Sequence, residues 1–130
     1  MKNLLLLSFL SLMHQANAQQ QFNCYQVQEF RWNSTTNLND KPVEHQDKSK
    51  FTITKDKKYL IQLFDDGTSI QTPIKSNTND VAKGICTYQV ISPSNGYTYN
   101  YRINSNSQVI EISMENSGKE TLLKKYLYKD

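Results

Sequence analysis

Four runs of β-forming residues fill the second half of this chain, at 85–91, 97–103, 109–114 and 121–128, and only short breaks separate them. The breaks are Ser92-Pro93-Ser94-Asn95-Gly96, the polar stretch 104–107, and Glu115-Asn116-Ser117-Gly118. Each carries Gly, Pro, Asn or Ser, residues that supply turn dihedrals or remove a backbone donor. Connections this short join antiparallel neighbours, because a parallel pair needs a crossover of a dozen residues or more. The half-chain is therefore a meander.

Upstream the pattern is weaker but of the same kind. Residues 24–32 form a first strand, with Tyr25 and Val27 on one face and Phe30 and Trp32 on the other, a shift that calls for a bulge near Glu29. Residues 33–49 are polar, include Pro42 and follow no period, so a long surface loop is expected at about 33–49. Phe51 and Ile53 alternate with Thr52 and Thr54, residues 55–58 make a turn, and 59–64 complete a hairpin. Asp65-Asp66-Gly67 is a tight-turn signal before a short strand at 68–73, and 76–80 is a second polar break. Residues 119–128 also fit a helical period through Leu122, Leu123 and Tyr126, but their alternation reads as strand. The fold class expected is all-β, a single antiparallel meander of about eight strands closing into a small barrel or a sandwich.

Ahead of that domain, Met1-Lys2, an apolar run over 4–13 and Ala16-Asn17-Ala18 supply the charged, apolar and small-residue regions of an export signal. The run is half the roughly 20 residues that span a bilayer, so no stable membrane anchor is expected. Cleavage after Ala18 leaves 19–130 as one β domain of 112 residues in a secreted or periplasmic protein. About a third of those residues are hydrophobic, a thin supply for a core.

Two cysteines remain, Cys24 and Cys86, and an even count in an exported chain favours a disulfide. Closing a loop of about 60 residues would restrain the unfolded chain by roughly 4 kcal/mol. Charge is nearly balanced after cleavage, 14 basic residues against 12 acidic, with one dense basic stretch from Lys48 to Lys58. Nucleic-acid binding calls for a broader basic surface than this.

Catalytic and metal chemistry find little material. His45 is the single histidine after residue 18 and sits in the polar stretch between Glu44 and Gln46, where neighbouring side chains point apart. No G-x-S-x-G, H-E-x-x-H or phosphate-loop pattern occurs, and Asp65-Asp66 is explained by the turn it opens. No catalytic residue, metal ligand or cofactor is assigned. The suggestive feature is Tyr97, Tyr99 and Tyr101, which alternate with polar residues and place three phenols on one face of one strand. Such rings, with Phe30 and Trp32, suit a ligand because each joins an apolar body to a polar tip or stacks on an apolar guest.

A first strand ending in an aromatic pair, followed by an antiparallel meander, resembles in outline the small lipocalin-like barrels. The G-x-W signature of lipocalins is missing, since Phe30-Arg31 precedes Trp32, and no family residue is carried over. The function expected is that of an exported, non-enzymatic binding protein for a small hydrophobic or amphipathic ligand. The alternative is a protein-interaction module, such as an enzyme inhibitor or immunity-type protein, presenting loops or a strand edge to a partner.

Overall fold

A computed structural model describes residues 19 to 129 of the 130-residue chain. The expected export signal at 1–18 lies outside these residues. Eleven strands follow in order: β1 (Gln20–Glu29), β2 (Trp32–Asn33), β3 (Leu38–Asn39), β4 (Val43–Gln46), β5 (Lys50–Ile53), β6 (Tyr59–Leu63), β7 (Ser69–Asp80), β8 (Ile85–Ile91), β9 (Thr98–Asn104), β10 (Val109–Asn116) and β11 (Lys119–Lys129).

Eight of them, β1 and β5 to β11, pair antiparallel in a closed ring. Closure comes from β1, whose residues 26–29 lie opposite 124–127 of β11. Its other edge is shared, because residues 20–23 pair with β5 and residues 26–29 with β4. β4 and β5 thus run along one edge of β1, broken at 47–49, where the Cys24 amide donates to the Ser49 carbonyl and the Asp47 amide to that of Tyr25. The all-β expectation holds, and the barrel is the form realised. The strand reading of 119–128 holds too, since β11 carries ladders on both edges, to β10 and to β1.

The turns work as their residues dictate. At 64–68 the Gly67 amide donates to the Phe64 carbonyl with φ at +90°, and the Asp66 carboxylate takes the Thr68 amide and hydroxyl. Ser117-Gly118 gives the tightest hairpin, with φ of +52° and +78°, the double positive φ of a type I′ turn.

Three local expectations are corrected. The stretch 33–49 is not a structureless loop, for it holds the β2–β3 hairpin and β4. The polar break at 76–80 is the lower half of β7, paired with β8 from Ser76↔Gln89 to Asp80↔Ile85. The bulge in β1 falls between Cys24 and Gln26, not at Glu29, so Tyr25 turns outward while Cys24 and Val27 both face in.

A larger correction concerns the cysteines. The expected Cys24–Cys86 disulfide is absent, and both thiols are free. The reason is topological: β1 and β8 are separated by three strands in either direction round the ring, so they face each other across the barrel. A disulfide needs Cα atoms within about 7 Å, and opposed sheet walls stand about 10 Å apart. Denatured protein should accordingly show two alkylatable thiols without reductant, by intact mass. A single species lacking both would restore the disulfide and refute this register.

The interior is filled by Val27, Phe51, Ile53, Leu60, Tyr88, Val90, Ile103, Ile110 and Tyr126, all 4 % exposed or less. At the centre Phe51 packs edge-to-face on Tyr126, with centroids 4.9 Å apart, and on Tyr101 at 6.1 Å.

Candidate functional site

The aromatic plug divides the interior in two. The upper end is the one bearing the turns at 64–68, 92–97 and 117–118, and the lower end bears those at 54–58, 81–84 and 105–108. Phe51 lies opposite Phe22 in register, and Phe22 lines the lower space, whereas its packing partners Tyr101 and Tyr126 line the upper one. The two cavities share no lining residue, so the barrel is blocked rather than a pore.

The upper cavity measures about 400 Å³, within the range of small-molecule sites. Its apolar wall comes from Leu60, Ile70, Val90, Ile112 and Leu123, with the rings of Tyr99, Tyr101 and Tyr126. Leu60 and Thr72 are cross-strand partners on β6 and β7, as are Val90 and Tyr99 on β8 and β9, and Tyr101 and Ile112 on β9 and β10. The inward-facing side chains of several strands therefore meet in one space.

One side of this cavity lacks a continuous ladder. The β7–β8 pairing stops at Ile74↔Val90, and above it the edge of residues 69–73 faces the 92–96 loop. Pro73 fits this break. The Ile74 amide donates across to the Lys58 carbonyl, so the nitrogen of the preceding residue points to the other, unpaired edge, where a missing N–H costs nothing. Ile70 and Thr72 from β7, and Ser92, Pro93 and Ser94 from the loop, close the cavity there with side chains instead.

Polar atoms inside are few. Gln62 Nε2 donates to Ser49 Oγ at 3.2 Å and to the Tyr126 hydroxyl at 3.3 Å, and Ser49 in turn donates to Asp47. Burial, then the Asp47 carboxylate, pushes the Tyr126 phenol up. Burial, then the neighbouring Tyr99, raises Tyr101 to about 12, so both rings stay protonated at any physiological pH. Among the described residues, Lys124 is the one charged side chain in the lining. Its ammonium lies 3.6 Å from Glu29, which also has His45 Nε2 at 3.4 Å.

Of the five residues singled out in sequence, two line the cavity, Tyr99 and Tyr101. Tyr99 accepts a hydrogen bond from Asn95 Nδ2 at 3.1 Å, which ties the 92–96 loop to the wall. Tyr97 precedes β9 and is half exposed. Phe30 lies just past β1 with Lys125 Nζ 5.7 Å from its ring, and Trp32 is 47 % exposed under Lys119 Nζ at 5.0 Å. Neither borders the cavity.

The lower cavity, about 490 Å³, is more polar, with Gln20, Asn77, Asn79 and Ser105 beside Phe22, Cys86 and Tyr88. Cys24 lies in the core, where burial, then Asp47, raises its thiol to about 12 and leaves it unreactive.

Residues that sequence reading missed are Thr72, Gln62, Lys124 and Tyr126. The first three are polar residues on inward positions, and periodicity assigns such residues to the solvent side. Only cross-strand register brings them together. Among the described residues no group of three or more His, Cys, Asp and Glu side chains is placed to hold a metal, and no helix is long and apolar enough to cross a membrane.

Fold and site together define an eight-stranded antiparallel barrel, plugged at its middle, with a largely apolar cavity at one end. The chain matches no family model, no curated protein and no solved structure.

Proposed function

We propose that this chain is an exported, non-enzymatic binding protein that holds a small amphipathic molecule in its upper cavity. One observation carries the reading: the alternating tyrosines face inward at Tyr99 and Tyr101 and border about 400 Å³ of mainly apolar space beside a break in the barrel wall. A cavity of that size, rather than a filled core, offers a guest the burial that a carrier must supply. The middle plug gives the site a floor.

A second reading rests on a different observation. Trp32, Leu38 and Val43 are all exposed, at 47, 67 and 52 %, and among the described residues β4 carries a ladder only to β1. That strand edge and its apolar neighbours support a protein-interaction module, recognising a partner by strand addition.

The carrier reading is tested with N-phenyl-1-naphthylamine, a neutral probe that fluoresces when it leaves water. Micromolar protein should give a saturable rise in emission, and Ile70→Trp, at a half-exposed wall position that can take the larger ring into the cavity, should abolish it while the melting curve stays cooperative. Absence of saturable binding, or binding indifferent to Ile70→Trp, overturns the carrier reading and leaves the partner-binding surface as the better one.

A further inference from the structure

The hydroxyls of the upper cavity are unevenly served. Thr72 is 7 % exposed, and among the described residues its side chain has no hydrogen-bond partner. Its hydroxyl is not sealed off, for among the described residues no buried side-chain polar atom is left unpaired, and Thr72 borders the cavity. The Tyr101 phenol has no partner either among the described residues. Tyr126 accepts from Gln62 and so keeps its own proton to donate. Gln62 Nε2 is already engaged with Ser49 and Tyr126.

Three O–H groups on three different strands thus border one apolar space without a protein acceptor. Each is open to the cavity and has its proton free to donate, so a bound acceptor can take the place of water there. Three such groups on one cavity are a built set of donors rather than a single stray hydroxyl. The ionic character of the guest is set by the wall. Among the described residues Lys124 supplies the one charge in the lining, and its neighbour Glu29, which is not part of the lining, is shared with His45. Lys124 also lies in register with Ile112, which pairs with Tyr101, so the two residues stand on one rung of the barrel. A cationic head in this space would meet a like charge, whereas an anionic head meets an opposite one, at a lysine that is 42 % exposed and so stands at the mouth of the cavity rather than deep within it.

We infer that the upper cavity selects an amphipathic carboxylate, its head taking hydrogen bonds from the Thr72, Tyr101 and Tyr126 hydroxyls with Lys124 as counter-ion, and its apolar chain lying against Leu60, Ile70, Val90 and Ile112. The inference rests on the carrier reading and adds the chemical class and the polarity of the guest.

Displacement of N-phenyl-1-naphthylamine by three chains of equal length separates the possibilities: decanoate, methyl decanoate and decylammonium, at neutral pH. Decanoate should displace the probe at a concentration about ten-fold below the methyl ester, with decylammonium weaker than either. Lys124→Met should erase the preference for acid over ester. Thr72→Val and Tyr101→Phe, which remove one oxygen each and keep the shape, should each weaken decanoate by about ten-fold, the effect of a hydrogen bond to a charged acceptor. The empty protein should melt no lower with Thr72→Val, because the hydroxyl has no hydrogen bond to the described residues to lose; a threonine with only a structural role would show the reverse. Equal displacement by decanoate and decylammonium, or by acid and ester, overturns the inference while leaving the carrier reading standing. Failure of the probe to bind at all overturns both.

Discussion

Phe51→Ala is expected to remove about 3–5 kcal/mol of stability, a large part of what a domain of this size holds. Phe51 is fully buried and its ring packs on both Tyr101 and Tyr126. Its loss would open the floor between the two cavities, and the strands around it cannot collapse inward because closure of the ring fixes their spacing. With about a third of the domain's residues hydrophobic and no disulfide to restrain the unfolded chain, nothing else compensates. Urea titration followed by tyrosine fluorescence reads the effect directly. A midpoint shift worth less than about 1 kcal/mol would show that the plug does not hold the barrel together. Phe51→Leu, which keeps most of the apolar volume, should fall well short of the alanine loss.

What could be read in sequence was whatever buries one face. The runs that became β8 to β11 alternate because one side of each strand lines the interior, with Cys86, Tyr88 and Val90, then Tyr99, Tyr101 and Ile103, pointing inward. The strands that were missed bury neither face. β4 is exposed at every residue, and so is the lower half of β7 from Ser76 to Asp80. Their pairing is a main-chain matter, to β1 and β8, and a ladder with two wet faces leaves no hydrophobic period to find. Closure was equally silent. That Tyr99 and Tyr101 share a face follows from alternation, but that the face is the inside of a barrel follows only from β11 meeting β1. The disulfide expectation failed for the same reason, since composition counts thiols and the ring sets them on opposite walls. Thr72 shows the limit most plainly: beside Pro73 it looked like the end of a short strand, and it is a buried residue in the wall of the cavity.

Charge patterning hid one further feature, on the outer wall, which sets the second large effect. Asn100 and Arg102 alternate with the inward tyrosines and so face out, yet Asn100 and its cross-strand partner Ser113 are 4 % and 3 % exposed. They are covered by Glu120, which takes Arg102 on both oxygens, accepts from Ser113 and Asn100, and lies opposite Glu115 on β10. Two carboxylates facing each other across a ladder repel, and Arg102 with the Asn100 amide, which also donates to Glu115 at 3.0 Å, offsets that repulsion. The Arg102 hydrogen bonds, then that from Ser113, hold the Glu120 carboxyl at about 2 against its ordinary 4.5.

Because the folded value lies below the unfolded one, this group's stabilisation is complete above about pH 4.5 and is lost as pH falls through 4.5 toward 2. With Arg102 and Glu120 each about a third exposed, solvent screening reduces the worth of the pair to about 1–2 kcal/mol, still more than an isolated surface ion pair gives. Asp56 and Asp66 are lowered in the same direction by hydrogen bonds from Thr54 and Thr68, so the whole protein should lose stability on acidification. Glu120→Gln isolates the one contribution. Its melting temperature should lie below that of the unmodified protein at pH 7, and the two curves should converge by about pH 2, where the carboxyl is half protonated and the charge that separates them is going. Parallel curves across that range would mean that Glu120 titrates alike folded and unfolded, and that Asn100 and Ser113 are held by packing rather than by the ion pair above them.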